Sequence, residues 1–301
     1  LSKVSDKAEK AGIVDKIKGY VRLARPKQWI KNLFVFAALI FAKHVFDVDY
    51  FTKVLLAFLC FCMISACVYI INDVVDAEKD RLHPKKKLRP IASGMISKTE
   101  ALVFLAVLLP VAVTFAFMLD TSFALVLLLY FANNILYSIK VKHMVILDVM
   151  SIALGFLLRV IGGALVIKVY ISPWILLCTL LLSLFLGFSK RRNELVVLEN
   201  GANSHRKILK EYSLEFIDNM LSIVTACTVM AYSLYTFMSS NENYYMMLTI
   251  PYVLYGIFRY QYIIYQKKEG GSPEETVLSD LPLMINIILW ALTSIIILYV
   301  E

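Results

Sequence analysis

The sequence predicts an all-α fold: a polytopic membrane helical bundle with about nine transmembrane helices. Three observations predict it. The 301-residue chain is 59% hydrophobic with a mean hydropathy of +0.71, more apolar material than a soluble core of this length requires. Uncharged apolar runs recur at close to the ~20 residues that a helix needs to cross the hydrocarbon core. The basic residues also fall almost entirely on one side of those runs. The runs lie near 29–45, 51–73, 99–119, 121–139, 145–168, 172–189, 215–238, 244–265 and 281–300.

With nine spans, the tail and the long loops 74–98, 190–214 and 266–280 share one side. Of the 31 Lys and Arg residues, only Lys43, Lys53 and Lys168 fall on the other, with Arg159 and Arg259 inside spans. Positive charge stays cytoplasmic during insertion, so the N-terminus and these loops are expected inside the cell. The net charge of +8 therefore reads as membrane orientation and phosphate binding, not as a nucleic-acid signature. No nucleic-acid motif is present.

Residues 1–28 form the expected N-terminal segment, ahead of a single membrane domain over 29–301. Ile13, Val14, Ile17 and Val21 recur at helical spacing in a Lys-rich background, the pattern of a short amphipathic helix on the cytoplasmic leaflet. No cleavable signal pattern is visible. Cys60, Cys62, Cys67, Cys178 and Cys227 all fall in spans without metal-site spacing and read as small buried hydrophobes. There is no Ser-His-Asp set, P-loop or dinucleotide glycine fingerprint.

The second span ends in Asn72-Asp73-Val74-Val75-Asp76-Ala77-Glu78-Lys79-Asp80. Its three aspartates sit at i, i+3 and i+7, on one face of a continuing helix. A helix C-terminus disfavours carboxylates, and an ionised side chain at the hydrocarbon edge costs a few kcal/mol unless paired. Asp73, Asp76 and Asp80 are therefore expected to hold a divalent cation, with Mg2+ favoured because it accepts one or two carboxylates plus substrate phosphate. Asn72 would orient a carboxylate or donate to a phosphate oxygen. Arg81, His83, Lys85, Lys86, Lys87 and Arg89 follow closely. The strongest phosphate ligand among them is Arg89, with a forked guanidinium just before the rigid Pro90. His83-Pro84 shapes the turn.

Arg25-Pro26-Lys27-Gln28-Trp29-Ile30-Lys31-Asn32 opens the first span. Trp29 is an interfacial anchor, whereas Lys31 and Asn32 enter the span and are candidate phosphate contacts. The fourth and fifth spans carry Asn133, Asn134, Tyr137, Ser138, Lys140, Asp148 and Arg159. Asp148 and Arg159 share a helix face but stand about 16 Å apart along the axis at 1.5 Å per residue. Each needs another partner, on a neighbouring helix or a ligand. The third inner loop opens with Lys190-Arg191-Arg192-Asn193-Glu194-Leu195. In Pro273-Glu274-Glu275…Asp280, Asp280 reads as the cap of the last helix.

These residues together resemble the UbiA superfamily of intramembrane prenyltransferases, and the likeness runs over nearly the whole chain. The resemblance implies a nine-helix bundle whose first aspartate-rich motif, here Asn72-Asp73-x-x-Asp76-x-x-x-Asp80, binds a magnesium–diphosphate at the cytoplasmic face. Members that prenylate aromatic acceptors carry a second such motif in the third inner loop, where this chain has no aspartate in Lys190-Arg191-Arg192-Asn193-Glu194. Four runs instead resemble the branch of the superfamily that uses 5-phosphoribosyl-1-diphosphate. They are Arg-Pro-x-Gln-Trp-x-Lys-Asn at 25–32, His-Pro-x-Lys-x-x-Arg-Pro-Ile-Ala-x-Gly at 83–94, Lys-Arg-x-x-Glu-Leu at 190–195, and Pro-Glu-Glu before an Asp at 273–280.

The expectation is a Mg2+-dependent membrane glycosyltransferase moving a 5-phosphoribosyl group onto a polyprenyl phosphate lipid, in a bacterial-type plasma membrane and a cell-wall or glycolipid pathway. Asp73, Asp76 and Arg89 would be catalytic. Lys31, Asn32, Asn72, Lys86, Arg89, Asn134, Tyr137, Lys140, Arg159, Lys190 and Arg191 would bind substrate. A homo-oligomer is left open. The rivals are a prenyltransferase using an allylic diphosphate and an aromatic or other acceptor, and a transporter of an anionic solute, which would scatter polar residues through mid-membrane.

Overall fold

The protein is described from a computed structural model, which covers residues 14–82, 86–199, 207–238, 244–267 and 270–300. His83, Pro84, Lys85 and Ile13 lie outside the described residues. The chain begins with helix α1 (14–24), followed by a 3-10 run, Pro26–Phe36, that continues into α2 (Ala37–Phe41). Then come α3 (Val48–Arg81), α4 (Lys98–Leu119), α5 (Thr121–Ile139), α6 (Leu147–Ile167), α7 (Pro173–Glu199), α8 (Leu214–Met238), α9 (Ile250–Tyr265), α10 (Pro273–Ser279) and α11 (Leu281–Val300).

Seven of these, α3 to α8 and α11, are long and apolar enough to cross a membrane. The other two expected spans are helical but built differently. Residues 29–45 fall on the 3-10 run and α2. Residues 244–265 fall on a 3-10 turn, Tyr244–Thr249, and α9, which has 16 residues. Pro26 and Pro251 stand in the first turns of the 3-10 run and of α9, where a missing N–H costs nothing.

Local sequence sets the boundaries. Asp47 caps α3 by accepting from the backbone N–H groups of Asp49 and Tyr50. Ser97 and Glu100 form a reciprocal capping box on α4. Asp120 terminates α4 and, through Phe123 N–H, starts α5, so one residue makes the hairpin. Asp280 caps α11 as expected, accepting from Leu283 N–H at 3.1 Å.

Burial separates inner from outer helices. The most apolar stretches of α3 and α6 are 61% buried within the protein, against 11% for α4. Thus α3 and α6 form the centre and α4 faces outward. One apolar core, with Phe61, Phe123, Leu127 and Tyr130, joins the 3-10 run, α3, α5 and α6. A second, with Phe185, Ile217, Tyr260 and Ile263, joins α7, α8 and α9 to Val149 of α6. Gly163 lets the 3-10 run press onto α6, since a Cβ there would lie 1.9 Å from the Val35 carbonyl oxygen. At 1.5 Å per residue, the 34 residues of α3 reach about 51 Å, well beyond a ~30 Å hydrocarbon core. Its last turns therefore carry the acidic motif past the apolar stretch.

On α1, Leu23 is buried while Val14, Ile17 and Val21 are exposed, which leaves one apolar stripe turned away from the protein. The cysteines divide: Cys60, Cys62 and Cys67 are buried, Cys178 is half-buried, and Cys227 is exposed. Cys227 corrects the expectation that all five are interior, because it lies on the outward side of α8.

Candidate active site at the charged end of the bundle

Asp73, on α3, is almost fully buried and receives two guanidinium groups. Arg25 donates to its Oδ1, and Arg89 Nη1 donates to the same oxygen at 3.1 Å and to Asp80 Oδ2 at 2.6 Å. Arg25 reaches Asp73 because its backbone is left-handed (φ 51°), turning the chain between α1 and Pro26. Its guanidinium also lies over the Tyr69 ring, 4.8 Å from the centroid. Asp73 Oδ2 is buried without any hydrogen bond, a costly state for a carboxylate oxygen unless a ligand completes it.

Asp76 is half-buried, as is Asn72, and neither bonds to another described residue. No group of three acidic, His or Cys side chains is gathered as a metal cage among the described residues. The predicted trio is thus an arginine-bridged pair, Asp73 and Asp80, with Asp76 beside it. This donor set fits Mg2+, which takes one or two carboxylates and completes its shell with phosphate and water. The orphaned Asp73 Oδ2 points to the same conclusion.

Deeper in the bundle, Arg159 of α6 is 5% exposed. It donates from Nε to Asn32 Oδ1 (2.8 Å), from Nη1 to the Gly155 carbonyl (2.9 Å) and from Nη2 to Tyr130 Oη (2.7 Å). All three acceptors are neutral, and no carboxylate among the described residues pairs with it. A buried guanidinium without a counter-charge is expensive, so an anion is the missing partner. Lys31 lies near Arg159 and Lys190, and its ammonium stands 3.1 Å from Glu274 Oε2. Burial pushes the Glu274 carboxyl up, but Lys31 and the backbone outweigh that and hold it below the usual carboxylate range. Asn32, next to Lys31 in sequence, accepts from Arg159, and Lys31 pairs with Glu274, which links these three charged groups.

Several expected ligands are engaged elsewhere. Arg191 is fully buried, 2.7 Å from Asp148 Oδ2, and also binds Glu194 and Tyr137 Oη. Tyr212 Oη donates to Asp148 Oδ1 at 2.8 Å and accepts from Ile146 N–H at 2.7 Å. These contacts engage Arg191 and Tyr137 with neighbours inside the protein. Asn134 bonds to the Tyr130 carbonyl of its own helix, and Lys140 is exposed at the end of α5; neither joins the cluster. Lys86 is exposed in the short turn leading to Arg89. Sequence reasoning missed Arg25, Tyr69, Tyr130 and Glu274 as parts of the cluster. Arg25-Pro26 and Pro273-Glu274 stood in runs already singled out, but nothing in the sequence ranked them.

A membrane bundle that gathers acids and phosphate-seeking cations at one end has the design of an intramembrane transferase. The profile of the UbiA prenyltransferase family matches residues 32–288, and the chain belongs to that family. It is 32% identical over 289 residues to the decaprenyl-phosphate phosphoribosyltransferase of Mycolicibacterium smegmatis, covering 91% of this chain and 90% of that one. It is 31% identical to the Mycobacterium tuberculosis protein of the same name, covering 92% and 93%. In fold it resembles a UbiA homologue from Archaeoglobus fulgidus bound to GPP and Mg2+, with a TM-score of 0.70 at 19% identity over 93% of this chain and 99% of that one.

Proposed function

We propose that the protein transfers a 5-phosphoribosyl group from 5-phosphoribosyl-1-diphosphate to a membrane polyprenyl phosphate, at the cytoplasmic face of a bacterial-type plasma membrane. Arg159 carries this reading: a buried cation without a counter-ion among the described residues, bonded to Asn32 beside Lys31, suits a substrate bearing several phosphates. The relatives' names and the third inner loop support it further. Where aromatic-acceptor enzymes place acids, this loop supplies Lys190 and the closed Arg191–Glu194 pair.

A lipid phosphate oxygen attacks C1 of the ribose. The O–C1 bond forms as the bond from C1 to the diphosphate breaks, and the electron pair leaves with pyrophosphate. The attacking monoester is already anionic, so no strong general base is required. Asp73 and Asp76, with Asp80, would hold Mg2+, which supplies positive charge to the departing diphosphate. Arg25 and Arg89, both held on Asp73 Oδ1, would orient the same group. Lys31, Asn32, Arg159 and Lys190 position the remaining phosphates, and the buried setting keeps water from C1.

The test is a substrate panel on the purified protein in lipid nanodiscs. Labelled 5-phosphoribosyl-1-diphosphate with polyprenyl phosphate should yield lipid-borne label and pyrophosphate. Geranyl diphosphate with an aromatic acid should release none; the opposite pattern overturns the proposal.

A further inference from the structure

Glu274 has no role in the donor chemistry above, although it lies in the same cluster. It is carried by α10, a seven-residue helix between α9 and α11 that packs against the 3-10 run. Only 7% of the residue is exposed. Its Oε2 atom is buried and stands 3.1 Å from the Lys31 ammonium, which also donates to Gln28 Oε1 at 2.7 Å; this ion pair leaves other lone pairs of the carboxylate free to accept. Thus Glu274 is a buried carboxylate held by a lysine, whereas Asp73 is held by two arginines.

The chemistry of the remaining groups narrows what Glu274 can meet. Arg25, Lys31, Arg89 and Arg159 are donors only and suit phosphates. Asp73 and Asp80 are committed to arginines and to the divalent cation. Asn32 Oδ1 already accepts from Arg159. Glu274 is therefore a carboxylate with acceptor capacity beyond its Lys31 partner, in a site otherwise made for anions, and it would repel a phosphate. Neutral donor groups suit that capacity, and the sugar hydroxyls of a phosphoribosyl donor are such groups. A carboxylate that accepts from ribose hydroxyls is also a known device of nucleotide recognition.

Resting on the proposed donor, we infer that Glu274 is the specificity-determining residue that accepts hydrogen bonds from the ribose hydroxyls. It thereby separates phosphoribosyl diphosphate from allylic diphosphates, which have no hydroxyl to offer. A site built around a buried acceptor rejects ligands lacking the matching donor, because that acceptor is left unsatisfied.

The experiment uses the full chain in nanodiscs and the unreactive carbocyclic isostere of 5-phosphoribosyl-1-diphosphate, together with its 2-deoxy and 3-deoxy forms, as competing inhibitors. A hydrogen bond to a charged group is worth about 1.5–3 kcal/mol, so removing the responsible hydroxyl should weaken binding to the wild type roughly ten- to hundred-fold. In Glu274→Met, which has similar length and no charged acceptor, the parent and deoxy forms should bind equally. Glu274→Gln, which keeps a carbonyl acceptor, should retain part of the discrimination and guards against a folding defect in the first variant. If Glu274→Met weakens all forms in parallel and keeps the wild-type discrimination, Glu274 merely holds Lys31 and the inference is wrong. A wild type that binds none of the isosteres and releases no pyrophosphate from the true donor would instead remove the donor assignment itself.

Discussion

Two buried charge clusters in this bundle use the same side chains to opposite ends. Around Asp148, a single guanidinium, Arg191, meets two carboxylates and the Tyr137 hydroxyl, and Tyr212 donates to Asp148, all on α5, α6, α7 and the loop before α8. At the other, Arg25 and Arg89 bind Asp73 and the Lys31 ammonium pairs with Glu274, while Arg159 has no acidic partner among the described residues. The first cluster is closed and ties helices together. The second is open at Arg159, a buried guanidinium that meets only neutral acceptors. Residue type does not separate them; the pairing of each guanidinium does.

The largest way to break this contrast is in the open cluster. Asp73→Asn removes the carboxylate that anchors two arginines and is expected to hold the cation. Turnover should fall at least about a thousand-fold, the scale seen when one preorganised electrostatic group is lost. The protein should still insert and purify, since no helix depends on Asp73 for a cap. Pyrophosphate release measured beside a size-exclusion profile decides it, and near-normal turnover would refute the metal assignment. Arg191→Met is the counterpart in the closed cluster. It strands Asp148 and Glu194 and should cost about 3–5 kcal/mol of stability, read as a lower unfolding midpoint in detergent. Activity per folded molecule should change far less. A severe loss of turnover at unchanged stability would move Arg191 into the open cluster.

Much of the architecture was legible in the sequence because it follows from length and spacing. Apolar runs gave the spans, and the i, i+3, i+7 aspartates gave one face of α3. The reading that Asp148 and Arg159 cannot pair also holds, since three helical turns separate them. What was hidden is which distant residues complete each charge. Arg25 meets Asp73 across 48 positions, and only because a non-glycine residue adopts a left-handed backbone before a proline. Arg191 and Lys190 are neighbours in sequence, but α7 turns the first into the sealed core and leaves the second half-buried. No local pattern distinguishes those directions. The two segments 29–45 and 244–265 read as ordinary spans because hydropathy does not reveal a 3-10 backbone.

Arg159→Met sharpens the comparison further. Removing a buried charge that lacks a counter-ion should leave stability unchanged or slightly higher, unlike Arg191→Met. Donor or acceptor binding should nevertheless weaken roughly ten- to hundred-fold, as expected for a lost charge-assisted contact. A large drop in unfolding midpoint would show that Arg159 is structural after all. Arg89→Lys should be milder, about ten-fold in donor affinity. A lysine can still neutralise Asp73 but cannot present a fork to phosphate. Unchanged affinity would count against Arg89 as a donor ligand.

The smallest effect belongs to a third, closed group. Asp280 accepts from Arg259 through both oxygens, at 3.0 and 2.9 Å, and lies 3.0 Å from Lys267 while capping α11. The hydrogen bond from Arg259 is the main reason its carboxyl titrates well below the ordinary range, with Lys267 and the Leu283 N–H adding to it against the cost of burial. A carboxylate depressed by folding contributes stability that is fully present above its unfolded pKa and is lost as pH falls through the folded one. Asp280→Asn should therefore cost about 1 kcal/mol at neutral pH. That difference should stay constant down to the ordinary carboxylate range and shrink only in stronger acid. Turnover should not follow it, because a closed ion group acts through the fold alone. A variant that instead lost activity between pH 6 and 8 at constant unfolding midpoint would mean that Asp280 touches substrate, and the division between open and closed clusters would fail there.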